Sequence, residues 1–476
     1  MKDLWRKSAA EVVSLLKRRD VSPLELIDVA AARIEATNPK INAFVTLCYD
    51  RAREHAKRLM KKKPAGKLPP QYLYGLPIGV KDGTDVEGVR TTSGSRIYKD
   101  RIAPSSDVIV QRLESYGAIV IGKTNLPEFA AGGNTFNDVF GATTNPWDTT
   151  KSASGSSGGT AAALASGQVW LATGGDFGGS IRTPSSFNSI TGLRPSPGMV
   201  PRTSKQPFSP LSVEGPMARD VADTALFFDC EAGWHPLDPL SQVGPHPGFS
   251  AAAARPTKPK RIGFSTDLGI ARAVDREVRA VSKAAAEKLQ RAGVKIEEAH
   301  PDLSDAERTF HTLRGAVFIA RHGELMKKYR HLYKPEIISN TEFGLALKPE
   351  EIVAAEIAQG EIIRRVAKWF ETYDALLCPV ITCPPFDVKL RYPTHVDGVE
   401  LEGYMGYLVL TCAITVTACP VVSLPGGFTK AGLPVGLQLV GPPRSEARLL
   451  SMAAWVEKCL DVRPKTPIDP RDPRKA

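Results

Sequence analysis

The sequence predicts an α/β fold: a large mixed, mainly parallel central sheet covered by helices on both faces. Short, continuous apolar runs such as LPIGVK at 76–81 and AIVI at 118–121 indicate buried strands. Segments with helical periodicity separate these runs along the chain. Alternation of strands and helices is typical of a parallel sheet with both faces covered.

The elements follow in chain order. Helical periodicity begins at residues 9–17, and Ser22 followed by Pro23 predicts a second helix that runs to about residue 36. Strands are predicted at 43–47, 76–81, 118–121, 169–172, 261–265, 294–297, 375–378, 421–424 and 436–440. Further helices are predicted at 50–61, 107–116, 160–165, 274–292, 305–329, 349–372 and 446–460.

Composition excludes several classes of protein. No uninterrupted apolar run approaches the roughly 18 residues that a membrane span needs, and charges recur through the N-terminus where a signal peptide would be apolar. The seven cysteines include no CxxC pair, and the eight histidines show no metal-ligand spacing. We therefore expect a cytoplasmic protein with no membrane association, no metal and no cofactor.

The net charge of +11 raises the question of a nucleic-acid partner. The basic residues are widely spread, and the densest run, KRLMKKK at 57–63, continues a predicted helix. Motifs of known nucleic-acid-binding folds and interleaved aromatic residues are lacking. A solvated helix end is therefore favoured for this run, and no nucleic-acid partner is expected.

Three polar segments stand out against the apolar strands. Lys81 ends a predicted strand, KSASGSSGGTAAAL at 151–164 precedes a helix, and GGDFGGSIRTP at 174–184 follows another strand. A lysine in a dry pocket at a strand end loses its charge readily and becomes a base, although Lys81 taken alone is more often expected at a sheet edge exposed to solvent. The segment at 151–164 suits either an anion-binding turn before a helix or, as the favoured alternative, a close approach of two chain segments. The segment at 174–184 suits either a nucleophile turn whose N–H groups face an oxyanion or, as the favoured alternative, an ordinary glycine-rich turn with a capping serine.

A serine nucleophile in the third segment, Ser180, would need a base. No histidine occurs between Lys81 and Pro184, so a Ser-His-Asp triad would need a histidine from elsewhere in the chain. Lys81 is the nearest alternative, because a lysine can activate a serine directly or through a second hydroxyl. The residues alone leave this choice open.

Together these segments resemble the amidase signature family, whose members are serine hydrolases with a Ser–cis-Ser–Lys triad. The matching motifs, in family order, are LPIGVKD (76–82), TTSGS (91–95), GKTNLPEFA (122–130), GATTNPWD (141–148), GSSGGTAAALASG (155–167), GGDFGGSIRTPSSFNSITGLRPSPGMVP (174–201) and GLPVGLQLVGP (432–442). The resemblance covers about residues 5–460. It implies one amidase signature domain over 1–476, with a catalytic core near 70–220 and a more variable, substrate-shaping region near 233–400.

The resemblance also implies roles for individual residues. Lys81 corresponds to the general base, Ser156 to the serine that follows a cis peptide bond, and Ser180 to the nucleophile. The backbone N–H groups of Phe177, Gly178, Gly179 and Ser180 correspond to the oxyanion hole. Ser157, Asp176 and Arg182 match polar positions that support the site. Two residues depart from the usual pattern, since Ser154 replaces a glycine and Phe177 replaces a smaller residue.

The implied activity is cleavage of the C–N bond of small carboxamides or anilides, with esters and carbamates (urethanes) as further substrates. The alternatives are the amidase subunit of a tRNA-dependent amidotransferase and an inactive binding member of the fold. By analogy, Phe129, Ala130, Ala131 and Gly132 line the substrate pocket, with residues 203–208 and 305–375 as further walls. A small amide or carbamate is the expected partner, and a monomer or homodimer is the expected state. Cys378 is favoured as a buried core thiol over a pocket residue.

Overall fold

The computed structural model describes residues 3–61, 67–245 and 248–475, and eleven strands in it form one sheet. In chain order these strands are β1 (Phe44–Leu47), β2 (Pro77–Lys81), β3 (Ile119–Thr124), β4 (Leu171–Asp176), β5 (Thr191–Arg194), β6 (Val213–Ala218), β7 (Arg261–Phe264), β8 (Lys295–Glu298), β9 (Ala375–Pro379), β10 (Val421–Phe428) and β11 (Pro434–Val440). All nine predicted strands are present, and β5 and β6 are additional.

The order across the sheet is β1-β3-β2-β4-β6-β5-β10-β11-β9-β7-β8. Strands β2–β3, β2–β4, β7–β8 and β7–β9 pair in parallel, and the other six neighbouring pairs are antiparallel. The prediction of a mixed sheet is confirmed, but the expectation that it is mainly parallel is wrong. Strands buried on both faces are mostly apolar whichever way they pair, so the apolar runs could not distinguish the two arrangements.

The principal helices are α1 (Ala9–Arg18), α2 (Pro23–Ile41), α3 (Tyr49–Lys61), α4 (Val108–Ser115), α5 (Gly158–Ala165), α6 (Arg182–Asn188), α7 (Val221–Glu231), α8 (Phe249–Ala253), α9 (Arg276–Arg291), α10 (Ala306–Tyr329), α11 (Pro335–Ala346), α12 (Pro349–Trp369), α13 (Val409–Val416) and α14 (Glu446–Leu460). The start of α2 is as predicted, because the Ser22 side chain accepts a hydrogen bond from the Glu25 N–H. The helix continues past residue 36 to Ile41, with Pro39 inside it.

The core of the sheet is closed on both sides. Every residue of β2, β3, β5, β9 and β11 is buried. Because successive side chains of a strand point to opposite faces, complete burial means that both faces are covered, as predicted. Apolar burial of this extent supplies the main stabilisation of the fold.

The site is positioned by two neighbouring parallel strands. Strands β2 and β4 pair through Ile78 with Leu171 and Gly79 with Ala172. Strand β2 ends at Lys81 and β4 ends at Asp176, so both carboxyl ends meet at one edge of the sheet. Binding sites of open α/β sheets gather at such an edge.

Two further sequence-based expectations concern the basic run at 57–63 and the crossing of a membrane. Residues 57–61 of the basic run belong to helix α3, while residues 62 and 63 lie outside the described residues. Among the helices that the structure describes, none combines the length and the apolar character that membrane crossing requires.

Candidate active site

The Lys81 side chain lies at the centre of the site. Its Nζ is 2.7 Å from Ser156 Oγ and 2.8 Å from Ser157 Oγ, and only 4% of the residue is exposed. Burial lowers the pKa of Lys81 to about 8, although the charges of Glu214 and Asp176 oppose that shift. A substantial fraction of Lys81 is therefore neutral near physiological pH and able to accept a proton.

The serine segment before helix α5 is held from several sides. The Gly155–Ser156 peptide bond is cis, and the Gly155 carbonyl accepts a hydrogen bond from Thr183 Oγ1 at 2.8 Å. The Ser157 N–H donates to the Ser180 carbonyl at 3.2 Å, which ties this segment to the turn after β4. Ser154 has φ +61°, in the left-handed region that favours the glycine usual at this position.

The turn from β4 to α6 is organised around the Asp176 carboxylate. Its oxygens accept the Gly179 N–H at 2.9 Å and the Ile181 N–H at 3.2 Å. Arg182 and Arg194 each approach the same carboxylate to 3.0 Å, with all three side chains fully buried. Burial disfavours ionisation of Asp176, but the two guanidinium groups outweigh it and hold the pKa of this carboxyl well below its usual range.

This arrangement determines which backbone donors remain free. The Gly179 N–H, expected in the oxyanion hole, is engaged by Asp176. Within the described residues, the N–H groups of Phe177, Gly178 and Ser180 have no intramolecular acceptor. Three loop positions around the serine therefore offer free donors, with Gly179 serving to shape the turn.

The three predicted triad residues line one cavity of about 440 Å³. Phe129, Ala130 and Ala131 line it as well, whereas Gly132 lines a small adjoining hollow of about 30 Å³ that also contacts Ser180. Residues 203–206 and part of α10 complete the wall, and they fall within the two predicted wall regions, whose role in substrate binding stays a prediction. The Ser180 hydroxyl has no hydrogen-bond partner among the described residues. It therefore makes no hydrogen bond to the Ser156 hydroxyl in this conformation.

Several charged residues that line the cavity escaped sequence reasoning. Arg202, Glu214, Arg314 and Arg321 line the cavity with charged side chains. A glutamate inside the apolar strand β6 was a signal that could have drawn attention to it, since buried charges are rare without a purpose. Arg202 carries no such signal among its polar loop neighbours, whereas Arg314 and Arg321 flank the apolar run GAVFIA at 315–320, which was a comparable signal. Cys378 is fully buried in β9 and lies outside the cavity lining.

Comparison with known proteins establishes the family. The Amidase family model matches residues 25–450, so the chain belongs to the amidase family. A bacterial aryl acylamidase of the amidase signature enzymes superposes with a TM-score of 0.87 at 28% identity, covering 95% of this chain and 96% of that one. The structure of 6-aminohexanoate cyclic dimer hydrolase in complex with its substrate gives a TM-score of 0.85 at 26% identity, over 98% and 99% of the two chains.

Relatives found by sequence are named as one subunit of a larger enzyme, unlike the structures just described. The glutamyl-tRNA(Gln) amidotransferase A-subunit of Prochlorococcus marinus (strain MIT 9211) is 35% identical over 485 residues, which cover 96% of this chain and 98% of the relative. The relative of Heliobacterium modesticaldum, which bears the same name, is 33% identical over 98% of this chain and 99% of its own length. Both are named as one subunit of an enzyme that acts on a charged tRNA.

The expectation of a monomer or homodimer without a nucleic-acid partner is therefore wrong, because relatives matched over almost their whole length are subunits of a tRNA-dependent enzyme. The lack of a nucleic-acid-binding motif within this chain was a poor guide to its partners. One member of a larger assembly need not carry such a motif, since the charge and motifs of one chain say little about a specific partner.

Proposed function

We propose that the protein is an amidase that cleaves a carboxamide C–N bond through an acyl-enzyme on Ser180. The observation that carries the proposal is the 2.7 Å contact between Lys81 Nζ and Ser156 Oγ, in a cavity that Ser180 also lines. A buried lysine with a lowered pKa, next to a hydroxyl and near a second serine, is suited to activate a serine nucleophile.

In the first half of the reaction, neutral Lys81 takes the proton of Ser156 as Ser156 takes the proton of Ser180. The Ser180 Oγ then bonds to the substrate carbonyl carbon, for which its hydroxyl must turn toward Ser156. The carbonyl oxygen gains negative charge and accepts hydrogen bonds from the free N–H groups of Phe177, Gly178 and Ser180.

In the second half, the C–N bond breaks and the departing nitrogen receives a proton from Ser156, which Lys81 replenishes. An amide requires this proton because an amide anion is a very poor leaving group. Water then gives its proton to the same relay and attacks the acyl-enzyme, which releases the acid and restores Ser180. Ser157 positions Lys81 through its 2.8 Å contact, and Asp176 with Arg182 positions the turn.

For the biological role, we propose the ammonia-releasing subunit of a tRNA-dependent amidotransferase. The support is 33–35% identity to such subunits over 96–98% of this chain. In that role glutamine would be the amide substrate, and companion subunits together with glutamyl-tRNA would be the partners.

A second candidate is hydrolysis of aryl amides, with esters and carbamates as further substrates of the same acyl-enzyme chemistry. It is favoured by the TM-score of 0.87 to the aryl acylamidase and by Phe129, Phe177 and Phe318 in the cavity wall. Aromatic side chains of this kind offer apolar area to a substrate ring.

The test compares release of ammonia or amine from glutamine, aliphatic amides, aryl amides and esters by wild type, Ser180→Ala and Ser105→Ala. Ser105 is exposed, so Ser105→Ala is the matched control. We expect Ser180→Ala to lose turnover on every substrate, and full activity in that variant would refute the acyl-enzyme. Glutamine-dependent amidation of glutamyl-tRNA(Gln) by the complex isolated from its own cells would support the amidotransferase role. Vigorous anilide cleavage without such amidation would favour the second candidate.

A further inference from the structure

Three arginines face the catalytic cavity without an acidic partner. Arg202, Arg314 and Arg321 line it, and within the described part of the chain no Asp or Glu oxygen lies within 4.0 Å of their guanidinium nitrogens, although the backbone N–H of Arg202 donates to Asp238 at 3.0 Å. Buried or half-buried guanidinium groups are normally paired with carboxylates or phosphates. An unpaired group of three inside an enzyme cavity therefore calls for an explanation.

Their hydrogen bonds go to neutral oxygens. Arg202 donates to the Ser212 carbonyl and, at 2.9 Å, to Ser204 Oγ. Arg321 donates to Ser212 Oγ at 2.9 Å, so Arg202 and Arg321 converge on the same residue. A guanidinium carries five N–H donors, and these contacts leave several of them free on both arginines.

Arg314 differs from the other two. It is nearly fully buried, donates to Asn340 and Tyr404, and lies with its Cζ 4.1 Å from the centre of the Phe318 ring. Its side chain is fixed by these contacts. Arg314 therefore contributes mainly positive charge to the cavity and few free hydrogen-bond donors.

Glu214 is the acid that comes nearest to balancing this charge. It pairs with Gly175 across β4 and β6, and its Oε2 lies 2.9 Å from the position that a Cβ on Gly175 would take. The Lys81 Nζ approaches the Gly175 carbonyl at 3.4 Å, so Glu214 lies near Lys81. The charge of Glu214 also acts on Arg202 and Arg321, although its oxygens lie more than 4.0 Å from their guanidinium nitrogens. Burial raises the pKa of Glu214 to about 7, so it is an incomplete counter-charge near neutral pH.

His322 lies in the same positively charged surroundings as the arginines. This side chain also lines the cavity, between the rings of Phe129 and Phe318. Burial, together with the charges of Arg321, Lys205 and Arg314, lowers the pKa of His322 to about 3. Burial is the larger cause, and the three positive charges add to it, so a further cation is disfavoured at this position.

We infer that Arg202 and Arg321 bind a carboxylate of the substrate, so that the enzyme selects amides carrying a carboxylate group a few bonds from the scissile carbonyl. The inference rests on the proposed amide cleavage at Ser180. The Arg321 Cζ lies 5.5 Å from the centre of the Phe177 ring, and Phe177 belongs to the turn that carries Ser180. Planar guanidinium groups match carboxylates in shape and charge, so two of them give selectivity over a neutral analogue.

The experiment compares kcat/KM for an N-aryl succinamate, which carries a carboxylate, with that for the matched neutral N-aryl butyramide. We expect wild type to prefer the succinamate roughly 10- to 100-fold, as charge-assisted hydrogen bonds give. Arg202→Gln and Arg321→Gln should reduce this ratio, mainly through KM for the succinamate, while Arg321→Lys should retain part of it. Arg308→Gln, at an exposed position of the same helix α10, should leave the ratio unchanged.

A wild-type ratio near one, or a ratio unaltered in both glutamine variants, would overturn the inference. Calorimetry tests the carboxylate site separately from the proposed cleavage, because it measures binding without turnover. The Ser180→Ala variant should bind succinamate, the amide without an aryl group, at least roughly tenfold more tightly than butyramide. If wild type cleaves neither aryl substrate, hydrolysis of aryl amides is refuted as an activity, and the calorimetric comparison still decides the inference. Equal binding of the two ligands would refute the carboxylate site even in an active amidase.

Discussion

The side-chain nitrogen of Lys81 lies between Ser156 Oγ and Ser157 Oγ, at 2.7 and 2.8 Å, and has no carboxylate within ion-pair distance among the described residues. Two hydroxyl groups satisfy its hydrogen bonds without strongly favouring the charged form. A paired lysine would stay protonated, because an adjacent carboxylate raises the pKa of an amine. The contact therefore suits a base that must lose its proton near neutral pH.

The first prediction concerns the pH dependence of this base. Because burial lowers the pKa of Lys81 to about 8, the neutral form increases as pH rises through that value. We expect kcat/KM for an amide to rise from about pH 6 to about pH 8 and to level off above about pH 9, since this parameter reports the ionisation of the free enzyme. A pH–rate profile measures this, and a profile that falls across the same range would contradict a lysine base.

The second prediction concerns Glu214, whose negative charge opposes the effect of burial on the pKa of Lys81. Replacement by the neutral isostere in Glu214→Gln removes that opposition. We expect the rising limb of the pH–rate profile to move to lower pH, by up to roughly one unit. Glu298→Gln, at an exposed position, serves as the control, and an unchanged or higher midpoint in Glu214→Gln would show that the two groups do not interact.

The sequence predicted the catalytic edge better than the sheet around it. Lys81, Ser156 and Ser180 could be found because each lies in a glycine-rich or strand-end motif, and the motifs occur in family order. Their roles, and the division into a core near 70–220 and a variable region near 233–400, stay predictions. Strand direction could not be read, because the fully buried antiparallel strand β11 is as continuously apolar as the parallel strand β2.

Long-range charge pairing was also beyond the sequence. Nothing near Arg194 indicates that it reaches back to Asp176, 18 residues earlier, and nothing near Arg321 indicates that it meets Arg202 at Ser212. Such contacts depend on the tertiary fold and leave no local pattern. The hydrogen bond from the Gly179 N–H to Asp176 also leaves no local pattern, since a glycine-rich turn alone does not show which N–H groups remain free.

The third prediction concerns the stability of the buried group formed by Asp176, Arg182 and Arg194. In Asp176→Asn, two fully buried guanidinium groups lose their counter-charge, and we expect the free energy of unfolding to fall by about 3–5 kcal/mol at about pH 7. The folded-state pKa of Asp176 is depressed, so its contribution is present above the unfolded value of about 3.9 and is lost as pH falls below it.

Urea unfolding of wild type, Asp176→Asn and the exposed control Asp100→Asn tests this near neutral pH and again at successively lower pH. The gap between wild type and Asp176→Asn should narrow as the pH falls below about 4. A gap of less than about 1 kcal/mol near neutral pH would show that the arginines find other partners.

The last prediction concerns the turn glycine before the nucleophile. Gly179 has φ +121°, and a Cβ there would lie 2.5 Å from Thr411 Oγ1 and 2.7 Å from Thr411 Cβ. Gly141 also has a positive φ, +79°, but a Cβ there would meet nothing within 4 Å. Alanine variants at these two positions separate two contributions to the free energy of unfolding: the strain of the backbone conformation and the collision of the added Cβ. We expect Gly141→Ala to lose about 1 kcal/mol of unfolding free energy, and Gly179→Ala about 2–4 kcal/mol.

The two alanine variants should differ more in activity than in stability. A shift of the Gly179 turn moves Ser180 and the free N–H groups of Phe177 and Gly178 together, and displacements of about 1 Å at a reacting centre cost roughly 100-fold in rate. Gly179→Ala should therefore lose at least that factor in kcat at a temperature where it remains folded by circular dichroism, while Gly141→Ala keeps wild-type kcat. Equal kcat values in the two variants would mean that the turn tolerates the added methyl group, and that the contact of Gly179 with Thr411 does not position the nucleophile.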